Sequence, residues 1–161
     1  MIDGITMYLV AGTALSSALV GGVFYAFSTF VTAGLRRVPS EQGMATMQSI
    51  NVTAVRPGLM VPFFGTTLAG LAVAIVAIVD WHATTSPLLL AGAGSYVLGT
   101  FALTGAYHVP RNNALAATPT DAADAGALWS RYLAEWTRWN HVRTAAALVA
   151  ATLLGVALRV G

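Results

Sequence analysis

Four long stretches of the sequence carry no formal charge, and they constrain the fold more than any other feature. Residues 4–35, 57–79, 81–110 and 144–158 contain no Asp, Glu, Lys or Arg. A helix that spans a bilayer needs about 20 mostly apolar residues. The first three stretches exceed this length. The fourth reaches it when it starts near residue 139 and includes Arg159, because an arginine side chain can extend to the lipid headgroups.

The predicted fold is therefore all-α: a polytopic membrane four-helix bundle in a single domain, 1–161. We expect spanning helices at about 6–35, 59–80, 87–108 and 122–159. A short interfacial helix at 41–55 is predicted between the first two, because Pro39 and Pro57 bracket it. Pro110 is expected to end the third spanning helix. The fourth begins as a cytoplasmic extension, with a bend near Asn140 as the alternative.

Composition excludes several classes of protein. Charged residues make up 9% of the chain, against about 25% in a soluble domain. The absence of cysteine excludes disulfide frameworks, thiolate metal sites and cysteine nucleophiles. A net charge of +2 without a basic run indicates that nucleic acid is not a partner. The expected partners are the lipid bilayer and a small hydrophobic aromatic molecule or haem, and a homo-oligomer stays open.

The arginines predict the orientation of the bundle. Six of them lie in the first and third connections: Arg36, Arg37, Arg56, Arg111, Arg131 and Arg138. The second connection has none, and arginine-rich loops stay in the cytoplasm. The sequence thus predicts a bacterial inner-membrane protein with both termini outside and connections one and three inside. The first span is not expected to be a signal peptide, because Asp3 precedes it and its apolar stretch is too long.

An aromatic stripe on the fourth helix indicates a binding site at the arginine-rich end. Trp129, Tyr132, Trp136, Asn140 and Arg143 are spaced by 3, 4, 4 and 3 residues, which places them on one helix face. The rings would lie against a flat apolar molecule, and the last two residues would bind its oxygens. The alternative is an interfacial aromatic belt with a snorkelling arginine. An ionisable group inside an apolar segment favours the functional interpretation.

Amide and imidazole side chains gather at the same end. The amides are Gln48, Asn51, Asn112, Asn113 and Asn140, and each either binds a ligand or satisfies the backbone. His108 ends the third helix and His141 begins the fourth. Two facing imidazoles at similar depth would be able to ligate a metal ion or a haem iron. The alternative is that each histidine bonds only to a neighbour.

These residues resemble a family of small four-helix membrane proteins that includes the fungal anthrone oxygenases and many bacterial members without an assigned reaction. The resemblance covers nearly the whole chain. It rests on FYAFS at 24–28, MQSIN at 47–51, HVPRNNAL at 108–115 and WTRWNHVRT at 136–144. It implies oxidation of an anthrone at its activated methylene to an anthraquinone with molecular oxygen. The family pattern maps onto Asn112, Asn140 and Arg143, with Gln48 and Asn51 as supporting groups.

Two conditional mechanisms follow from this resemblance. Without a cofactor, Tyr25, Tyr132 and Trp136 would stack on the substrate, His141 or else His108 would remove its proton, and Arg143 and the amides would stabilise the enolate. With haem, His108 or His141 would be the axial ligand, and Arg143 or Arg111 would pair with a propionate. A haem-binding redox protein and a non-catalytic structural protein are the alternatives to an oxygenase.

Overall fold

The computed structural model describes residues 4–161, which form five helices; Asp3 lies outside this range. The helices are α1 (Gly4–Leu35), α2 (Ser40–Ala54), α3 (Pro57–Val79), α4 (Ser86–Ala116) and α5 (Ala125–Val160). All except α2 are long and apolar enough to cross a membrane. This confirms the predicted all-α polytopic bundle, with α2 as the predicted short helix between the first two spans.

Long-range packing arranges the four spanning helices around a common core. The longest helix, α5, packs against both α1 and α4, and α3 packs against the same two helices. Buried apolar side chains form three layers along the bundle. One surrounds Val73, the middle one contains Phe63 and Tyr96, and the third contains Met47 and Trp129 at the arginine-rich end. Since Met47 belongs to α2, that short helix covers this end of the bundle.

Small residues allow α4 and α5 to approach closely. A Cβ atom added at Gly99 would lie 2.5 Å from the Cβ atom of Ala146, and one added at Gly92 would lie 3.0 Å from Cγ of Leu154. Without a hydrophobic driving force between helices in lipid, such close backbone contacts are a main source of association. The two glycines therefore set the distance between α4 and α5.

The helix α4 contains wide turns that the sequence pattern did not predict. It is π-helical over Ser95–Ala102 and Thr104–His108, and it then continues as an α-helix from Val109 to Ala116. The prediction that Pro110 ends this helix is wrong. The Pro110 ring lies in the first α-helical turn after the π-helical segment. The local π-helical geometry accommodates the backbone N–H group that proline lacks.

The helix α5 is one uninterrupted α-helix of 36 residues, so the alternative of a separate interfacial helix before Asn140 is wrong. At 1.5 Å per residue it is about 54 Å long, well beyond the hydrocarbon thickness of about 30 Å. Its first turns extend past the apolar segment and pack on α2. The helix begins at Ala125 rather than at 122, after Asp124 at the N-cap position.

We expect Gly99→Ala to destabilise the bundle, because the added methyl group meets Ala146 and neither group can rotate away. Overpacking costs about 1–3 kcal/mol, whereas alanine in an unhindered helical position gains up to about 1 kcal/mol over glycine. Gly94→Ala on the same helix is the matched control, because nothing lies within 4 Å of its added Cβ. Circular dichroism melting in detergent should show a lower midpoint for Gly99→Ala than for the control. Equal midpoints would contradict the close approach.

Candidate functional site

A cavity of about 290 Å³ lies in the arginine-rich half of the bundle, and all five helices contribute to its wall. This volume is near the lower bound for small-molecule sites, about 300 Å³. Six aromatic side chains line it: Phe24, Phe27, Phe63, Phe64, Phe101 and Trp136. The polar side chains in its lining include Asn51, Thr104, Asn112 and Arg143. Such an apolar cavity with a few convergent polar groups is typical of a ligand site.

The guanidinium of Arg143 is the central polar group of the cavity, and its residue is only 5% exposed. Its Nε donates a hydrogen bond to Oδ1 of Asn140 at 2.7 Å, and Nη1 donates one to Oγ1 of Thr104 at 3.3 Å. Its Cζ lies 3.9 Å from the ring centroid of Phe24 and 5.0 Å from that of Trp136. Cation–π contacts of this kind strengthen when they are desolvated.

No carboxylate neutralises this cation among residues 4–161. The ion pairs found there join His82 to Asp80 and Arg111 to Glu135. A guanidinium has five N–H donors, and two of the donors of Arg143 are matched by the bonds described above. A buried charge is normally paired, so the cavity has both the charge and the donors to hold an anionic oxygen of a ligand.

The side chain of Asn140 positions Arg143 and does not line the cavity. It is fully buried, and its Nδ2 donates to the carbonyl oxygen of Phe24 and to Oγ of Ser28, both at 2.7 Å. Its Oδ1 accepts from Arg143. This amide therefore links α5 to the middle of α1 and orients the guanidinium. The structure does not place it among the groups that would touch a substrate, where the sequence analysis expected it.

A second polar group of the cavity is built around Asn112 of α4. Its Oδ1 accepts hydrogen bonds from the hydroxyl of Tyr132 at 2.9 Å and from Nε1 of Trp136 at 3.0 Å. These bonds fix the Trp136 ring, which forms part of the cavity wall. The Asn51 side chain of α2 lines the cavity and lies close to the Tyr132 hydroxyl, and its buried Nδ2 makes no well-formed hydrogen bond.

Three other predicted residues lie outside the cavity. The Nε2 atom of Gln48 donates to the carbonyl oxygens of Leu115 at 2.8 Å and Thr118 at 3.0 Å, so this amide holds α2 against the end of α4. Asn113 is exposed, and Tyr25 is 55% exposed on the outer face of α1. The first residue thus has a structural role, and the structure does not bring the other two to the cavity.

Trp129 and Tyr132, the first two residues of the aromatic stripe, lie beside the cavity, and so does Arg111. The Trp129 and Tyr132 rings stack at a centroid distance of 5.8 Å in the buried layer under α2. The Arg111 guanidinium lies 3.4 Å from the ring centroid of Tyr107, and its Nε lies 3.6 Å from Oε2 of Glu135. Arg111 and Tyr132 line a separate cavity of about 170 Å³. Of the five residues in the predicted stripe, only Trp136 and Arg143 line the main cavity.

The two histidines do not form the expected facing pair. His108 is fully buried, with its ring 5.2 Å from that of Trp136, and neither ring nitrogen makes a well-formed hydrogen bond, although the carbonyls of Leu103 and Trp136 are nearby. His141 is exposed. It follows Asn140 directly, and a helix turns by about 100° per residue, so it points away from the stripe. The structure places one imidazole in the interior of the bundle and the other on its surface.

The histidine placement does not fit a haem bound in the main cavity. His108 does not line this cavity, and His141 faces outward. Within residues 4–161, no group of three or more His, Cys, Asp or Glu side chains is placed to hold a metal ion. The main cavity therefore offers no axial ligand to a haem iron.

Of the six aromatic residues that line the cavity, only Trp136 is among the residues predicted from the sequence. Phe63, Phe64 and Phe101 lie in the second and third apolar stretches, where their hydropathy is indistinguishable from that of lipid-facing residues. Phe24 and Phe27 lie on either side of Tyr25 and Ala26 in the 24–28 motif, in which Tyr25 was the predicted binding residue. The available signal was helical spacing, because positions three apart share a face and adjacent positions do not.

Comparison with known proteins identifies one family. The family model described as anthrone oxygenase matches residues 58–153, more than half of the chain. The matched range includes all but the first residue of α3, the whole of α4 and the larger part of α5. It contains the cavity residues Asn112 and Arg143. No curated protein and no solved structure matches the chain.

We expect Asn140→Ala to lower the free energy of unfolding, because it leaves Nε of Arg143 without its acceptor and removes two bonds to α1. Leaving a buried donor unsatisfied costs about 1–3 kcal/mol, and more for a charged group. Asn113→Ala removes the same side chain from an exposed position and should change stability by no more than about 0.5 kcal/mol. Thermal melts in detergent measure both. A midpoint for Asn140→Ala equal to that of the control would contradict the positioning role.

Proposed function

The chain belongs to the anthrone oxygenase family, and on this premise we propose that it is a membrane-embedded oxygenase. Its proposed substrate is a flat polycyclic phenolic molecule of the anthrone type, which it oxidises with molecular oxygen. The observation that carries the proposal is the unpaired guanidinium of Arg143 in an aromatic cavity. A purely structural bundle has no use for such a charge in an apolar segment, where it is costly.

The cavity suits a flat aromatic acid. Its phenylalanine rings and the Trp136 indole offer apolar faces and edges for stacking. Arg143 would bind the oxygen that carries the negative charge, and planar guanidinium groups both stack on rings and pair with oxygens. The amide of Asn51, which also lines the cavity, would donate to a second oxygen, such as a phenolic hydroxyl. The substrate class is therefore a fused aromatic ring system with an acidic oxygen and a further acceptor.

The proposed reaction is balanced by one molecule of oxygen. Loss of a proton from the activated methylene gives an enolate, whose negative charge lies mainly on the oxygen of the substrate's carbonyl group. The enolate carbon gives its electron pair to molecular oxygen, and a carbon–oxygen bond forms. The resulting peroxide anion takes up a proton and becomes a hydroperoxide. Loss of the second methylene proton and cleavage of the O–O bond then release water and leave a carbonyl group. One oxygen atom of the oxidant enters the quinone and the other leaves as water, so the methylene loses four electrons and oxygen gains four.

Electrostatic stabilisation of the enolate is the main contribution we assign to the protein. The described lining holds no carboxylate and no imidazole; His141 is exposed and His108 lies behind Trp136. A nearby cation favours the ionised form of an acid, so Arg143 would hold the substrate as its anion while the proton passes to water. Preorganised donors aimed at a developing oxyanion are commonly the largest single factor in catalysis.

We predict that Arg143→Gln reduces oxygen consumption with an anthrone by about 100- to 1,000-fold in kcat, which is typical for loss of an oxyanion donor. The matched control is Arg138→Gln, which removes an exposed charge from the same helix and should keep the wild-type rate. His141→Ala should also keep it. The assay is an oxygen electrode with purified protein in detergent, corrected for spontaneous oxidation of the anthrone.

Two results would refute this proposal. One is a wild-type rate no higher than that of the protein-free solution. The other is equal activity of Arg143→Gln and Arg138→Gln, because the proposal assigns the stabilising charge to the buried guanidinium alone. A decrease in His141→Ala would restore that residue as a candidate base.

We further propose that the arginine-rich end faces the cytoplasm of a bacterial cell and that both chain termini lie outside the inner membrane. The support is the arginine distribution. Arginines lie in the α1–α2 and α2–α3 connections, near the end of α4 and in the first turns of α5, whereas the α3–α4 connection has none. The lipid bilayer and the small aromatic substrate are the proposed partners, without nucleic acid. A homo-oligomer remains compatible with the exposed apolar surface.

Engineered cysteines test this orientation, because the chain has none of its own. Thr84→Cys lies between α3 and α4, and Ala123→Cys lies between α4 and α5; both positions are exposed. In intact cells, a membrane-impermeant maleimide should label Thr84→Cys, and it should label Ala123→Cys only after permeabilisation. The reverse pattern would invert the proposed orientation.

A further inference from the structure

The cavity has an opening between α3 and α4. Phe64 of α3 lines the cavity and is 50% exposed, and three residues of α4, Ala102, Gly105 and Val109, both line it and are exposed. These residues all lie within segments apolar and long enough to span a membrane. The opening therefore faces sideways from the bundle, toward the hydrocarbon of the bilayer.

The packing of α3 on α4 explains this opening. The two helices pack together over Ser86–Gly94 and Ser95–Ala102, and their contacts become sparse over Thr104–His108 and Val109–Ala116. The change falls at the second π-helical segment of α4. Such segments often mark functional sites. The helices diverge where the cavity lies, which leaves a gap in the bundle wall.

Gly105 lies at the centre of this gap. A Cβ atom added to it would meet no atom within 4 Å, so the space beside it is open. The preceding residue, Thr104, accepts a hydrogen bond from Arg143. A molecule that passes Gly105 from the lipid would thus arrive beside the buried guanidinium.

Toward α4 and α5 the end of the bundle offers no comparable route, whereas at the α2–α3 connection Val55 lines the cavity and is 68% exposed. The helix α2 and the first turns of α5 close it with a buried layer that contains Met47, Leu115 and Trp129. The hydrogen bonds from Gln48 to the carbonyls of Leu115 and Thr118 attach α2 to the end of α4. Entry from this side would require α2 to detach.

We propose that the gap between α3 and α4 is the entry route by which a lipid-dissolved substrate reaches the cavity, with Gly105 and Phe64 as its two sides. The route implies a substrate that is neutral in the bilayer, because moving an anion through hydrocarbon is costly. The substrate ionises only when its acidic oxygen reaches Arg143. A weakly acidic, flat, membrane-partitioning phenol meets both demands, whereas a permanently charged sulfonated analogue does not. The identity of this substrate, but not the route, rests on the proposed function.

The test compares Gly105→Leu with Gly94→Leu in lipid nanodiscs. Both glycines lie on α4 with open space around an added Cβ, but only Gly105 lines the cavity. Stopped-flow quenching of tryptophan fluorescence would follow the binding of 1,8-dihydroxyanthraquinone. We expect the association rate to fall about tenfold or more in Gly105→Leu, within the range by which interface variants change such rates, and to stay at the wild-type value in Gly94→Leu. Phe64→Ala should widen the opening and raise the rate.

Several outcomes would overturn the route. One is an association rate that is unchanged in both Gly105→Leu and Phe64→Ala. Another is binding of the sulfonated analogue at the same rate as the uncharged probe. The third is no binding of the probe by the wild-type protein. If Gly105→Leu does not fold, the Phe64→Ala rate decides alone. Failure of the proposed function is a separate result: the probe would bind with the predicted dependence on Gly105 while no anthrone consumed oxygen.

Discussion

The buried guanidinium of Arg143 is the constraint on which the organisation of this bundle depends. A cation in an apolar segment must be solvated by the protein, and three helices supply groups for this purpose. From α5, Asn140 accepts a hydrogen bond, and from α4, Thr104 accepts another. From α1, Phe24 offers the face of its ring. None of these groups carries a negative charge, so the site remains electropositive and suited to an anionic oxygen.

The groups around this cation also determine the shape of the cavity. Asn140 attaches α5 to α1 through the Phe24 carbonyl and Ser28, and Asn112 of α4 holds the Trp136 ring in the wall. The bundle is thus tight where α5 meets α1 and α4, and it opens on the opposite side, between α3 and α4. This asymmetry gives the cavity one side that is held by hydrogen bonds and a lateral entrance on the opposite side.

Much of the fold could be predicted from the sequence because lipid imposes strong rules on composition. Charge-free stretches mark the spans, and the spacing of Trp136, Asn140 and Arg143 marks the inward face of α5. The same periodicity argues against His141 and Tyr25, since each directly follows an inward-facing residue. Both were predicted as site residues from the chemistry of their side chains, although their helix positions turn them away from the cavity.

Other features depend on tertiary structure and have no local signature. The continuation of α4 past Pro110 depends on the π-helical turn before it, and hydropathy does not report that turn. The cavity arises from five helices together, so its phenylalanines look like ordinary membrane residues one at a time. The division of the amides also became visible only in three dimensions: Asn112 and Asn51 face the cavity, whereas Gln48 and Asn140 bond to backbone carbonyls elsewhere.

The most direct measurement is an experimental structure of the protein in lipid with a bound hydroxyanthraquinone. We expect an oxygen of the ligand to lie within hydrogen-bond distance of the guanidinium of Arg143, with the fused rings against Phe24 and Trp136. A ligand bound outside the bundle, or an Arg143 side chain that extends to the headgroups beside a closed cavity, would contradict it.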